Sequence, residues 1–182
     1  MNGKVWAGLA AVVFLFVAVY LGSPFWAARQ FREAALSADV DRLDGAVDFP
    51  AVRDSLKAQL TVALTANMRN DAEMRSNPFA GLGVMMIPGI IGKAVDSFVT
   101  AEGMSAMIKR GKVEKGGGDA TANPDVDYSY AYRTIDRFAV TVKAPEAEAG
   151  QAPTFVFARR GLFSWKMIRL EIPEGILNTQ KN

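Results

Sequence analysis

The sequence predicts an α+β domain tethered to a membrane by an N-terminal transmembrane helix. Three observations predict it. The 24 residues from Val5 to Ala28 carry no charge. After them, apolar residues recur every three or four positions. From Tyr128 onward the period changes to two, over four short segments. Helices followed by strands are the chain order of an α+β domain. The expected architecture is several helices packed on one face of a four-stranded antiparallel meander.

The anchor comes first. At ~1.5 Å per residue, Val5 to Ala28 would make a helix of about 36 Å, enough for the ~30 Å hydrocarbon core of a bilayer. Ten residues of its most apolar part, Val5 to Leu21, are Val, Leu or Phe. They favour insertion by roughly 3 to 6 kcal/mol. Val5, Leu9, Phe14 and Phe16 are expected to meet lipid. Tyr20, Phe25 and Trp26 stand at the far end, where aromatic rings favour the headgroup level. A cleaved signal peptide is the competing assignment. It needs small residues just before the cut, and Ala27-Ala28 is preceded by the bulky Phe25 and Trp26. The expectation is an uncleaved anchor over residues 1–28 and a single domain over 29–182.

Within the domain, helices are expected over 29–112. Ser23-Pro24 has the form of a helix start, with Ser at the cap and Pro at the first turn. The helix that follows would continue the membrane span or break from it at Pro24. It keeps Ala28, Phe31, Ala34 and Ala35 on one side. A short helix near Asp39 to Leu43 comes next. Asp48 then caps a longer one carrying the stripe Phe49, Val52, Leu56, Leu60, Ala63 and Asn67.

Phe79 to Gly92 has no charged residue, four glycines and Pro88. Gly and Pro predict a broken helix here, buried beneath the sheet. Phe79, Leu82, Met85, Met86, Ile87, Ile90 and Ile91 make it the candidate surface for a protein partner or lipid. Thr100 is placed to cap a further helix. A Gly-rich connection is expected over 115–127, the sheet over 128–173 and a tail over 174–182.

In the sheet, Tyr128, Tyr130 and Tyr132 share a face and are the candidate pocket residues. Phe163, Trp165 and Met167 face one side, while Ile168, Leu170 and Ile172 face the other. That change of phase predicts a bulge at Met167-Ile168. Arg160-Gly161-Leu162 is expected to turn before the last strand, and Pro173 to end it.

Composition narrows the chemistry. The chain has no Cys and no His, which excludes disulfides, thiol chemistry and every Ser-His-Asp or Cys-His pair. Residues 29–182 carry 20 basic and 19 acidic side chains, and no basic run indicates nucleic acid. Asp39, Asp41, Asp44 and Asp48 lack the spacing and closing Glu of a calcium loop. No catalytic, metal-binding or cofactor-binding residues are assigned.

Four stretches carry a family resemblance: Tyr20 to Trp26 (YLGSPFW), the segment from Ala34 to Lys57, Tyr132 to Phe138 (YRTIDRF), and Arg159 to Pro173. Together they resemble a bacterial family known as domain of unknown function 2939. That resemblance implies an N-terminally anchored protein with one small α+β domain and transfers no activity. Helices followed by a bent sheet also resemble the cystatin-like or NTF2-like cone, a likeness of fold alone.

The expected location is the bacterial inner membrane, single-pass, with the domain on the periplasmic side. The expected role is a non-enzymatic accessory or interaction module meeting the bilayer and other membrane-protein subunits. The alternatives are a binding module for an apolar small molecule or lipid, held between the sheet and the Phe79–Gly92 segment, and an Asp/Tyr-based enzyme needing Asp136 or Glu171 in a cavity.

Overall fold

The computed structural model describes residues 3–70, 80–114, 126–144, 151–173 and 175. The helices are α1 (Gly3–Ser37), α2 (Val40–Ala46), α3 (Phe49–Asn70), α4 (Ala80–Phe98) and α5 (Ala101–Glu114). The strands are β1 (Asp127–Thr134), β2 (Arg137–Lys143), β3 (Thr154–Arg159) and β4 (Trp165–Glu171). The sheet is an antiparallel meander in the order β1-β2-β3-β4. The α+β class is as expected. The 115–127 connection and the 174–182 tail lie outside the described residues, except that Val126 is described, Asp127 opens β1 and Gly175 is described.

α1 resolves the choice left open at Pro24. It is one helix of 35 residues with Pro24 inside it, so Ser23 is no cap. A proline at 24 cannot donate to the carbonyl of Tyr20, four residues back. The Ser23 hydroxyl does so instead, at 2.8 Å. The helix ends in an αL cap at Ala38 (φ 52°), where Asp39 N–H reaches Ala34 O and Ala38 N–H reaches Ala35 O. Ser105 of α5 donates to the Ala38 carbonyl at 2.6 Å and holds that corner.

The capping residues act as expected. Asp39 accepts from the N–H of Arg42, Asp48 from that of Ala51 and Thr100 from that of Gly103.

The core lies between the upper part of α1, α2, the start of α3 and the inner face of the sheet. Leu43, Val47, Val52, Phe138, Phe157 and Met167 are almost wholly enclosed there, with Ala28, Phe31 and Ala34 from α1. The expected bulge is present. Phe157 pairs with Met167 and Val156 with Arg169, so Ile168 is the extra residue. On the outer face the central side chains are Ala139, Val156 and Ala158, all buried. Arg133 of β1 crosses over to Glu171 of β4 with two bonds of 2.6 Å. Three strand spacings of ~4.8 Å separate those edges in a flat sheet. The pair links the two edge strands across the outer face, as sheet twist and two long side chains allow.

The β4 edge is covered. Val47 bridges to Met167, and Asp48 N–H donates to Met167 O. Farther along, the Gln59 amide donates to Leu170 O and accepts from Ile172 N–H. The side chain of α3 thus completes a ladder that would otherwise be an open edge.

α4 departs from expectation. It is unbroken from Ala80 to Phe98 with Pro88 inside, and it packs on α3 rather than beneath the sheet. The inner face of the sheet is taken by α1 and α2, which leaves α4 to the outside.

Candidate functional site at the junction of α1 and the sheet

α1 carries its apolar surface straight into the domain. From Val5 to Val19 its side chains are exposed on all sides, Val5, Leu9, Phe14 and Phe16 among them. From Ser23 onward one side is buried, Trp26 remains exposed on the other, and Phe25 is partly exposed at the flank. Lys4–Ser37 is long and apolar enough to cross a membrane.

The contact between α1 and the sheet is an aromatic collar. Phe25 meets Phe138 at 4.7 Å, Tyr130 at 5.6 Å and Tyr132 at 6.5 Å. Higher up, Phe31 meets Phe155 and Phe157, and Arg32 stands over the Tyr128 ring at 5.2 Å. Tyr128, Tyr130 and Tyr132 do share a face, and α1 lies across it. Tyr132 donates to the Leu21 carbonyl at 2.5 Å. Burial pushes its phenol pKa up, against the opposing charge of Arg159. Trp165 donates through Nε1 to Ser23 Oγ at 2.8 Å, and Ser23 relays to Tyr20 O. The proline-loosened turn is therefore tied to β1 and β4 by side chains.

Arg159 organises the lower edge of this collar. Its side chain is only 8% exposed. The guanidinium lies 3.8 Å from the Tyr20 ring centroid and 4.3 Å from that of Trp165. Nη1 donates to Leu162 O and Nη2 to Ile135 O. Nε stands 3.3 Å from Asp136 Oδ1 without hydrogen-bond alignment. Arg159 thus joins the helix, the β1–β2 turn and the β3–β4 turn. Phe163 of the latter turn packs on Phe16 at 5.8 Å and on Tyr20 at 6.5 Å.

The second candidate surface divides into two faces. Ile87, Ile91 and Val95 pack against Leu56, Leu60 and Met68 of α3. Leu82, Met85, Met86 and Ile90 point outward, with Met85 80% exposed. Phe79 lies outside the described residues. Arg53 and Lys57 of α3 pair with Asp96 and fasten the other end of α4. Gly81–Phe98 is also long and apolar enough to cross a membrane, but part of it is buried on α3.

The carboxylates considered for catalysis are engaged at the surface. Asp136 is 64% exposed beside Arg159. The Arg133 hydrogen bond holds the Glu171 carboxyl below its ordinary value, against the opposing effect of burial. A shallow cleft near α3 is lined by Asp44, Asp48, Phe49, Arg160 and Lys166. Asp48 pairs with Arg160 at 2.5 Å there. Burial raises its pKa, but the Ala51 N–H and Arg160 outweigh that effect and leave it lowered. Among the described residues no cluster of His, Cys, Asp or Glu is placed to hold a metal.

The family described as "Protein of unknown function (DUF2939)" matches residues 13–107, just over half of the chain. The chain belongs to the DUF2939 family. The DUF2939 match takes in the last two thirds of the apolar run, the turn around Pro24 and the α3–α4 hairpin, and stops before the sheet. No curated protein and no solved structure matches the chain.

Sequence reasoning placed the N-terminal apolar helix and the apolar segment but missed Arg159, Ile135 and the role of Ser23. Their partners lie 24 to 142 positions away. The available signal was local: Arg159-Arg160 set directly before Gly161-Leu162-Phe163, a basic and apolar pair on one turn.

Proposed function

We propose that this protein is a membrane-anchored interaction module that presents its α3–α4 hairpin to another protein subunit. The observation that carries this is the outward face of α4. An amphipathic helix on a soluble domain turns polar residues to water; here Leu82, Met85, Met86 and Ile90 are turned out instead. Val62 and Leu64 of α3 extend the same exposed apolar character.

The location of that face favours a protein partner over the bilayer that holds α1. α1 meets the sheet at the Trp165 end of β4. α3 starts beside Met167 and has passed Leu170 and Ile172 by Gln59. It then runs on for about 16 Å to Asn70. α4 returns alongside it, with Gly83 near Met68 and Asp96 near Lys57. Met85 and Met86 therefore belong to the end of the domain away from the membrane junction. Met-rich faces suit a partner because the side chain adapts to irregular surfaces.

The anchor is retained, single-pass in the bacterial inner membrane, with the domain in the periplasm and no catalytic role. Native extraction in mild detergent followed by co-purification tests the module. The expected result is a stable complex with another membrane subunit that Met85→Asp abolishes without unfolding the domain. Recovery of free monomer alone, from wild type and variant alike, would overturn it. Protease access to the domain in spheroplasts, compared with intact cells, checks the periplasmic placement.

A further inference from the structure

The β1–β2 and β3–β4 turns emerge together at the end of the sheet where α1 arrives. Both carry exposed apolar side chains: Ile135 on the first, Leu162 and the half-exposed Phe163 on the second. We propose that these two hairpin tips are immersed in the bilayer beside α1, as a second membrane contact of the domain. The proposal rests on the anchorage proposed above.

The depth of the tips follows from lengths. Phe163 packs on Phe16 and Tyr20. If the tips stood clear of the hydrocarbon, only Val5 to Leu15 would remain below them. Those 11 residues span about 17 Å, roughly half of the ~30 Å required. Past the tips α1 stays apolar, with Leu21 and Trp26 exposed and Phe25 half-exposed beside the sheet. Val5 to Leu21 measures about 26 Å, close to the core, and leaves Phe25 and Trp26 at headgroup level. A bilayer covering that length necessarily passes the level of Leu162 and Phe163.

The backbone of the tips is prepared for such a medium. A turn in water leaves carbonyls for the solvent; in lipid each must be satisfied within the protein. Arg159 donates to Ile135 O and Leu162 O, and its own N–H reaches Asp136 O. The N–H groups of Arg160 and Gly161 reach Ser164 O. The cation that performs this capping is itself enclosed by Tyr20 and Trp165. Asp136, Arg137 and Arg160 flank the tips with polar ends, which sets the depth at the boundary of headgroups and acyl chains. Arg160 is paired with Asp48, and the exposed Arg137 suits anionic headgroups.

The chain has no Cys, so single labels can be placed cleanly. Leu162→Cys and Ile135→Cys, each carrying an environment-sensitive fluorophore, would be compared in the full chain reconstituted into vesicles of phosphatidylcholine and phosphatidylglycerol. Val12→Cys reports the anchor and Ala58→Cys, exposed on α3, reports water. The expected result at 162 and 135 is blue-shifted emission, quenching by nitroxide-bearing lipids, and a several-fold drop in iodide quenching relative to position 58. Iodide access equal to position 58, with position 12 still quenched by lipid, would overturn the proposal and leave the anchorage standing. Shielding from both quenchers would overturn it in favour of a protein contact. Iodide access at position 12, with release of the chain by alkaline carbonate, would overturn the anchorage and the proposal together.

Discussion

α1 and α4 are alike in composition and opposite in fate. Both are apolar, both contain a proline, and both are long enough to cross a bilayer. In α1 four consecutive residues, Val12 to Leu15, are all exposed, so apolar surface runs fully around the helix. In α4 the stripe Ile87, Ile91 and Val95 is packed on α3 and only the remaining face is open. A helix apolar all round with no protein about it has the character of a membrane span or a signal sequence; one with a packed stripe belongs to a domain. Length and hydropathy do not separate the two cases, whereas the direction of burial does.

The comparison can be broken most forcefully at the collar. Phe138→Ala removes the ring that Phe25 of α1 meets, and it should cost about 3 to 5 kcal/mol. Denaturant unfolding of the full chain in detergent micelles would read this. A small loss would mean that α1 is not held by the sheet. Next, Ile91→Ala in the α3–α4 stripe should cost about 2 kcal/mol, the low end for such truncations, because the far side of α4 is already open. A loss equal to that of Phe138→Ala would erase the contrast between a deep junction and a shallow one.

Ser23→Ala sharpens the account of Pro24. It leaves the Trp165 indole N–H and the Tyr20 carbonyl without their partner, at about 1 to 2 kcal/mol. A shift in Trp fluorescence should accompany it.

The sheet beneath α1 supplies a smaller test. The folded-state pKa of Glu171 lies below its ordinary 4.5. Its stabilising contribution is therefore complete above that value and is lost as pH falls through the folded pKa. The pair with Arg133 is partly exposed, so less than about 1 kcal/mol is at stake. Glu171→Gln should flatten that part of the acid-unfolding profile. Smallest in stability is Met85→Asp, within about 0.5 kcal/mol, because the side chain stands in solvent. Its expected loss of a partner, with an unchanged unfolding midpoint, separates surface from core on the same helix.

Much of this architecture is legible in local pattern. The period of three to four along Phe49, Val52, Leu56 and Leu60 defined α3. The phase change at Met167-Ile168 defined the bulge, because alternation has a period of two and one extra residue reverses it. Asp39, Asp48 and Thr100 declared themselves as caps. Pro24 and Pro88 were misleading for one physical reason. A proline inside a helix removes one donor and crowds one turn, and neighbours can supply what is missing. At Pro24 that supply comes from Ser23, with Trp165 behind it.

The amino-acid sequence by itself determined the elements, their order and the oily run that precedes them, since these depend on residues a few positions apart. Only the tertiary structure decided which face of each apolar helix is left over, and that a buried arginine would close both hairpin tips. Those outcomes join side chains as far apart as Ser23 and Trp165. No local period encodes them; they arise when packed surfaces compete for the same inner face of the sheet, which α1 occupies and α4 does not.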